Sequence, residues 1–161
     1  MGLCRHRLAA VPADLMEKLL NDAISKQVQD VLASMDQPVE VLLFTDPAHS
    51  SNAYLQQLLE EVAALSPKIG LSIHTAATSQ ELAGRYHVDK FPGFVIARRQ
   101  GDALVDVGVR FAGLPASHEF NSLIRALVRV SLADSGLQQV TRAGLAGLKA
   151  PVHLMVFVTP T

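Results

Sequence analysis

The most constraining feature of the sequence is the run VEVLLFT at Val39–Thr45, in which apolar and β-branched residues are almost continuous. Such a run is typical of a strand that is covered on both faces and lies inside a sheet. A turn-rich break follows at residues 46–52, and apolar residues then recur at helical spacing from Tyr54 to Leu65. The sequence therefore predicts a buried strand that leads directly into an amphipathic helix, as in an α/β fold.

The stretch after this helix predicts the rest of one such unit. Residues 69–75 alternate apolar and polar side chains, which indicates a second strand that pairs parallel to the first. Thr78 and Glu81 have the spacing of a capping box, so we expect a short helix to begin there. Two further strands at residues 94–98 and 104–109, joined by a hairpin turn, and a helix from Ser117 complete a four-stranded mixed sheet flanked by helices.

Two further stretches flank this unit. Helical spacing at residues 12–35 predicts an extra N-terminal helix, preceded by a loose terminus at residues 1–11. After residue 133 the chain again offers a helix and then an apolar run at 152–158, in the same order as residues 29–46. We therefore expect a first unit at residues 12–133 and a helix–strand remnant of a second unit, cut off after its start, at residues 134–161.

Composition excludes several classes of function. The 161 residues are 49% hydrophobic and 18% charged with a net charge of −1, a balance typical of a globular domain without a basic field for nucleic acid. No apolar run approaches the roughly 18–20 residues that a membrane span needs. The N-terminus resembles no secretory signal, so the expected location is cytoplasmic, with neither nucleic acid nor membrane as a partner.

The chain has a single cysteine, Cys4, which cannot form an internal disulfide and which suits a reducing compartment. The six histidines show no helical i, i+4 pair of the kind that binds zinc. We therefore expect no metal site and no cofactor.

Four segments together resemble the tandem thioredoxin-fold proteins, namely the glutaredoxin-like protein disulfide oxidoreductases and the N-terminal domain of the alkyl hydroperoxide reductase flavoprotein subunit. The segments are VEVLLFT at residues 39–45, RYHVDKFP at 85–92, GVRFAGLPASHEF at 108–120 and VFVTPT at 156–161. The third is the most specific. This resemblance implies a thioredoxin-like fold and a place in thiol–disulfide exchange and cell redox homeostasis.

In that family a Cys-x-x-Cys motif stands at the start of the helix after the first strand, where the helix N-terminus stabilises a thiolate and the second thiol resolves the mixed disulfide. The matching residues here are Ser50, Ser51, Asn52 and Ala53. A serine hydroxyl without a base cannot exchange a disulfide, so no catalytic residue is predicted. We expect Ser50 or Ser51 to cap the helix instead, and a hydrolytic pair of His49 with Ser50 is disfavoured because adjacent side chains rarely reach that geometry.

Phe91 and Pro92 resemble the family's cis-proline, which faces the active-site loop. The resemblance implies a cis bond before Pro92 and a peptide-binding groove made by His49, Phe91, Pro92 and Gly93.

The preferred hypothesis is a redox-inactive unit that supports a second, cysteine-bearing unit, or that pairs with another copy and with protein thiol or disulfide clients, without enzyme activity of its own. One alternative is an incomplete chain of an active thiol or selenol oxidoreductase, whose Cys-x-x-Cys or selenocysteine motif would follow Thr161. Another is a peptide-binding module that uses the groove at Pro92.

Overall fold

The strand Val39–Thr45 (β1) is buried along its entire length, as its composition predicts. The computed structural model of the chain describes residues 18–157. In chain order its elements are α1 (Asp22–Leu32), β1, α2 (Asn52–Ala64), β2 (Ile69–Thr75), α3 (Gln80–Arg85), β3 (Gly93–Gln100), β4 (Ala103–Ala112), α4 (His118–Leu132) and α5 (Gln139–Ala146).

The four strands form one mixed sheet in the order β2-β1-β3-β4. β1 pairs parallel with β2 and antiparallel with β3, and β3 forms a hairpin with β4. The hairpin turns on Gly101, whose φ of 58° lies in the left-handed region that glycine adopts without a Cβ penalty. The predicted four-stranded sheet flanked by helices is confirmed, and the arrangement is that of a thioredoxin-like fold.

The sheet separates two hydrophobic clusters. The larger cluster lies on the face covered by α1, α2 and α4 and is centred on side chains such as Leu43, Leu55 and Phe94, none of which is exposed. The smaller cluster lies on the opposite face, where Ala83 and Tyr86 from α3 and its C-terminal end cover Leu42 and Phe44. Because successive side chains of β1 point to opposite faces, both clusters depend on this one strand.

The predicted N-terminal helix is shorter than expected. Its residues 12–17 lie outside the described residues, as does the terminus at 1–11; residues 18–21 are not helical, and α1 begins at Asp22. The Asn21 side chain accepts the Ile24 N–H at 2.9 Å and caps the helix. The expectation of a helix through residues 18–21 is therefore wrong.

A carboxylate of α2 explains this early break. Glu61 accepts the backbone N–H groups of Leu19 at 3.0 Å and Leu20 at 2.8 Å, so these donors are satisfied outside a helix. Partial burial acts to raise the pKa of Glu61, but these two N–H groups, with Gln57 and Lys18, lower it overall. The ionised carboxylate thus ties the segment before α1 to α2.

The C-terminal region differs from its prediction in one respect. α5 forms as expected, but residues 151–157 pair with no strand, and residues 158–161 lie outside the described part of the chain. Val152 is 62% exposed and Phe157 is 85% exposed. The apolar composition predicts a strand, yet all four strands of the sheet come from residues 39–112, so this stretch has no partner within the described residues. Within residues 18–157 no helix is both long and apolar enough to cross a membrane.

The buried strand β1 also contains a carboxylate, Glu40, which makes a 2.6 Å ion pair with Arg99 of β3. Glu40 lies opposite Gly70 of β2, and a Cβ built at Gly70 would stand 2.1 Å from Glu40 Oε2. The sheet therefore accommodates this carboxylate because residue 70 has no side chain.

We predict that Gly70→Ala lowers the free energy of unfolding by about 1–3 kcal/mol, since the added methyl group must displace the Glu40 carboxylate from Arg99. Gly84→Ala is the matched control, because a Cβ at that helical position meets nothing within 4 Å. This control should be neutral or stabilising by up to about 1 kcal/mol. Chemical denaturation of both variants measures the difference, and equal stabilities would contradict the proposed contact.

Candidate functional site

The end of the loop between β1 and α2 and the start of α2 carry the four residues that the sequence resemblance predicts at the Cys-x-x-Cys positions. Ser50 precedes the N-cap residue Ser51, while Asn52 and Ala53 are the first two residues of α2. Ser50 and Ala53 are exposed, whereas Ser51 and Asn52 are half-buried. Ser50 and Ala53, which the sequence resemblance predicts at the family's cysteine positions, are thus accessible at the start of a 13-residue helix.

Ser51 occupies the N-cap position, but its hydroxyl does not cap the helix. Its Oγ lies 2.8 Å from His49 Nδ1 instead, and the Ser51 N–H also points to this nitrogen at 3.4 Å. The expectation that a serine side chain caps α2 is therefore wrong, because the nearby imidazole competes for the hydroxyl. The sequence analysis paired His49 with its neighbour Ser50 and missed the pair of His49 with Ser51. The His-x-Ser spacing is the sequence signal for that pair.

Asn52 closes the same loop from the other side. Its side-chain Nδ2 donates to the backbone carbonyl of Asp46, and the Asp46 carboxylate accepts the Ala48 N–H at 3.0 Å. No carboxylate among residues 18–157 hydrogen-bonds to His49, so the histidine–serine pair lacks the acid that would orient a catalytic imidazole. These contacts organise the loop. The sequence signal for them is the turn-forming pair Asp46-Pro47 with Asn52 at the other end of the loop.

The segment Phe91-Pro92-Gly93 lies at the same end of the sheet as this loop. Gly93 pairs with Phe44 near the end of β1, and the loop starts two residues later. The bond before Pro92 is cis, which confirms the prediction. The Pro92 carbonyl accepts the Gly113 N–H at 2.7 Å.

The four residues of the predicted peptide-binding groove differ in exposure. His49 is exposed and Phe91 is half-buried, whereas Pro92 and Gly93 are buried. A Cβ at Gly93 would approach the Lys90 carbonyl oxygen to 2.5 Å, so the backbone packs closely there. A peptide at this end of the sheet would therefore meet His49 and Phe91, and the groove remains a prediction.

The remaining histidine, cysteine and acidic side chains are the other candidates for chemistry. In the part of the chain that the structure describes, no three histidine, cysteine, aspartate or glutamate side chains come together in a group that could hold a metal ion. Cys4 lies outside the described residues. The His74 ring lies 5.3 Å from that of Phe44, and its buried Nε2 has no hydrogen-bond partner there.

Comparison with known proteins confirms the predicted resemblance. No family model matches the chain. The alkyl hydroperoxide reductase AhpF of Staphylococcus epidermidis is 32% identical over 143 residues, which are 89% of this chain and 25% of that protein. The AhpF protein of Staphylococcus aureus is 28% identical over the same length. The chain thus spans about a quarter of the length of these curated relatives.

Solved structures agree with the sequence relatives. The NTD N/C domain of alkyl hydroperoxide reductase AhpF from Enterococcus faecalis is 26% identical with a TM-score of 0.70, and the match covers 78% of this chain and 59% of that one. A protein disulfide oxidoreductase from Aeropyrum pernix has a TM-score of 0.68 at 22% identity, with 80% of this chain and 55% of that one covered. The second likeness shows that the fold is shared.

Restoring two thiols tests whether Ser50 and Ala53 stand at the family's cysteine positions. We predict that Ser50→Cys with Ala53→Cys, in a Cys4→Ser background, forms an internal disulfide on mild oxidation, because a helix N-terminus favours the reactive thiolate. Mass spectrometry should show the loss of two hydrogen atoms. The single Ser50→Cys variant is the control and should keep its thiol. Two free thiols in the oxidised double variant would show that the positions are assigned incorrectly.

Proposed function

Because the chain is homologous over most of its length to part of the alkyl hydroperoxide reductase AhpF, we propose that it is a redox-inactive thioredoxin-like unit that supports a second, cysteine-bearing unit. The proposal rests on which amino acids stand at the end of the loop between β1 and α2 and at the start of α2. Serine and alanine stand at accessible positions at the start of α2, and the sequence resemblance implies that the family has its two cysteines there.

The chemistry of disulfide exchange explains why these residues are inactive. A thiolate attacks one sulfur atom of the disulfide, the other sulfur leaves as a thiolate, and a second thiol then resolves the mixed disulfide. The Ser50 hydroxyl is neutral at physiological pH and forms no stable bond to a disulfide sulfur atom. The methyl group of Ala53 is not a nucleophile. The scaffold is therefore kept while the electron transfer belongs to the second unit.

The supporting role rests on the region after α4. Large apolar side chains remain exposed along α5 and residues 152–157; Val140 is 73% exposed and Leu154 is 82% exposed. Large apolar side chains exposed in this number favour a covering partner element, which would remove them from water. We take residues 134–157 as the start of that second unit, whose remaining elements would pair with the 152–157 stretch and bury α5. The greater length of the relatives is consistent with further units of this kind.

An insulin-reduction assay tests the proposed lack of exchange activity. In the presence of dithiothreitol, the purified chain should precipitate insulin no faster than buffer does, because it has no pair of thiols. The Ser50→Cys, Ala53→Cys variant is the positive control and should be faster than the unmodified chain. Turnover by the unmodified chain that survives Cys4→Ser would contradict the proposal.

A further inference from the structure

A groove of about 280 Å³ opens between the C-terminal end of α4 and the strands β3 and β4, away from the loop between β1 and α2. Its apolar walls are Val107 and Val109 of β4 and Val130 of α4. Val107 is 42% exposed and Val109 is half-buried, whereas Val130 is buried, so the part of this wall that β4 forms is open to solvent. An exposed apolar depression on an otherwise packed sheet is a candidate for a ligand that brings its own apolar group.

Two arginines border this apolar surface, Arg98 of β3 and Arg129 of α4. Neither side chain makes a hydrogen bond or an ion pair with any residue in the range 18–157, whereas the adjacent Arg99 is paired with Glu40. Arg98 is half-buried and Arg129 is exposed. A guanidinium without an ion-pair partner favours an anion, and a carboxylate fits its two parallel N–H donors.

The carboxylate nearest to the groove is already engaged. Asp134 accepts the Gly136 N–H at 2.7 Å and pairs with Arg142. The hydrogen bond from Gly136 lowers the pKa of Asp134 most, and the contact with Arg142 lowers it further. Both contacts are made by its Oδ1, which thus helps to hold the turn that leads to α5. Arg129 contributes only its nearby charge to this carboxylate.

The same turn holds Arg129 in place. Gly136 adopts a φ of 73°, and a Cβ there would lie 2.4 Å from Arg129 Cζ. The guanidinium therefore packs directly on the glycine backbone and loses part of its rotational freedom before any ligand binds. Groups that are held in this way bind with a smaller entropy loss than free side chains do.

The geometry points to a binding site for a small organic carboxylate that carries a short aliphatic chain. The carboxylate lies between Arg98 and Arg129, and the aliphatic chain covers the three valines. Inorganic phosphate would satisfy the arginines but leave the exposed side chain of Val107 in water, and an alkylammonium ion would bring the wrong charge. This site is separate from the loop between β1 and α2 and does not depend on the proposed function.

Titration of the full chain with hexanoate tests this inference. Hexanoate should bind in calorimetry and shift the amide signals of Val107, Val109 and Val130 in heteronuclear NMR spectra. Arg98→Gln and Arg129→Gln should each weaken binding by about tenfold or more, because each removes a charge-assisted hydrogen bond. Arg125→Gln is the matched control: Arg125 lies one turn earlier on α4, is exposed and is not among the groove residues, so its loss should leave binding unchanged.

A further variant separates loss of binding from loss of fold. Val107→Glu alters an exposed side chain and places a carboxylate inside the groove, so it should block hexanoate while the thermal unfolding curve stays that of the parent chain. The inference is overturned if hexanoate does not bind at millimolar concentration, if phosphate or hexylammonium binds as tightly, or if the Arg98 and Arg129 variants bind as the Arg125 variant does.

Discussion

The burial of β1 on both faces is the constraint on which the rest of the structure depends. All seven of its residues are buried, and they include the carboxylate of Glu40, which is accommodated by Gly70 and neutralised by Arg99. The strand supplies one side of each hydrophobic cluster and pairs with both β2 and β3. Its C-terminal end also fixes where the loop to α2 begins and therefore where a thiol pair would stand.

None of these stabilising contacts requires a cysteine in that loop. The loop is organised by the bond between His49 and Ser51 and by the amide of Asn52, while the core below it is built from side chains such as Leu55 and Phe94. A thioredoxin-like unit can therefore lose its thiols without losing its fold. The proposed supporting role requires this independence of fold and thiols.

The sequence predicted those parts of the fold that local pattern determines. β1 and β2 have the predicted bounds, because a continuous or an alternating apolar pattern extends over each strand. Contacts between distant residues explain the errors. Helical spacing continues through Leu19 and Leu20, but Glu61, about forty positions away, binds their N–H groups and prevents a helix there. The apolar 152–157 stretch could not be assigned correctly either, because a strand also needs a partner strand.

The start of α2 was predicted from the sequence, but the contacts of the loop before it were not. That Ser50 and Ala53 stand at the family's cysteine positions stays a prediction, since the structure shows only that a helix begins at Asn52. The His49–Ser51 bond depends on the path of the loop, which no periodicity encodes. The same holds for the groove between Arg98 and Arg129, because these two residues come from a strand and a helix that only the folded chain brings together.

The most direct test of the supporting role is thermal unfolding of this chain joined to a thioredoxin-like unit that carries Cys-x-x-Cys, compared with that second unit alone. If the exposed apolar residues of α5 and the 152–157 stretch belong to a shared structure, the joined protein should unfold in one cooperative transition, at a higher temperature than the lone cysteine-bearing unit. Two independent transitions, each at the temperature of its separate part, would contradict the supporting role.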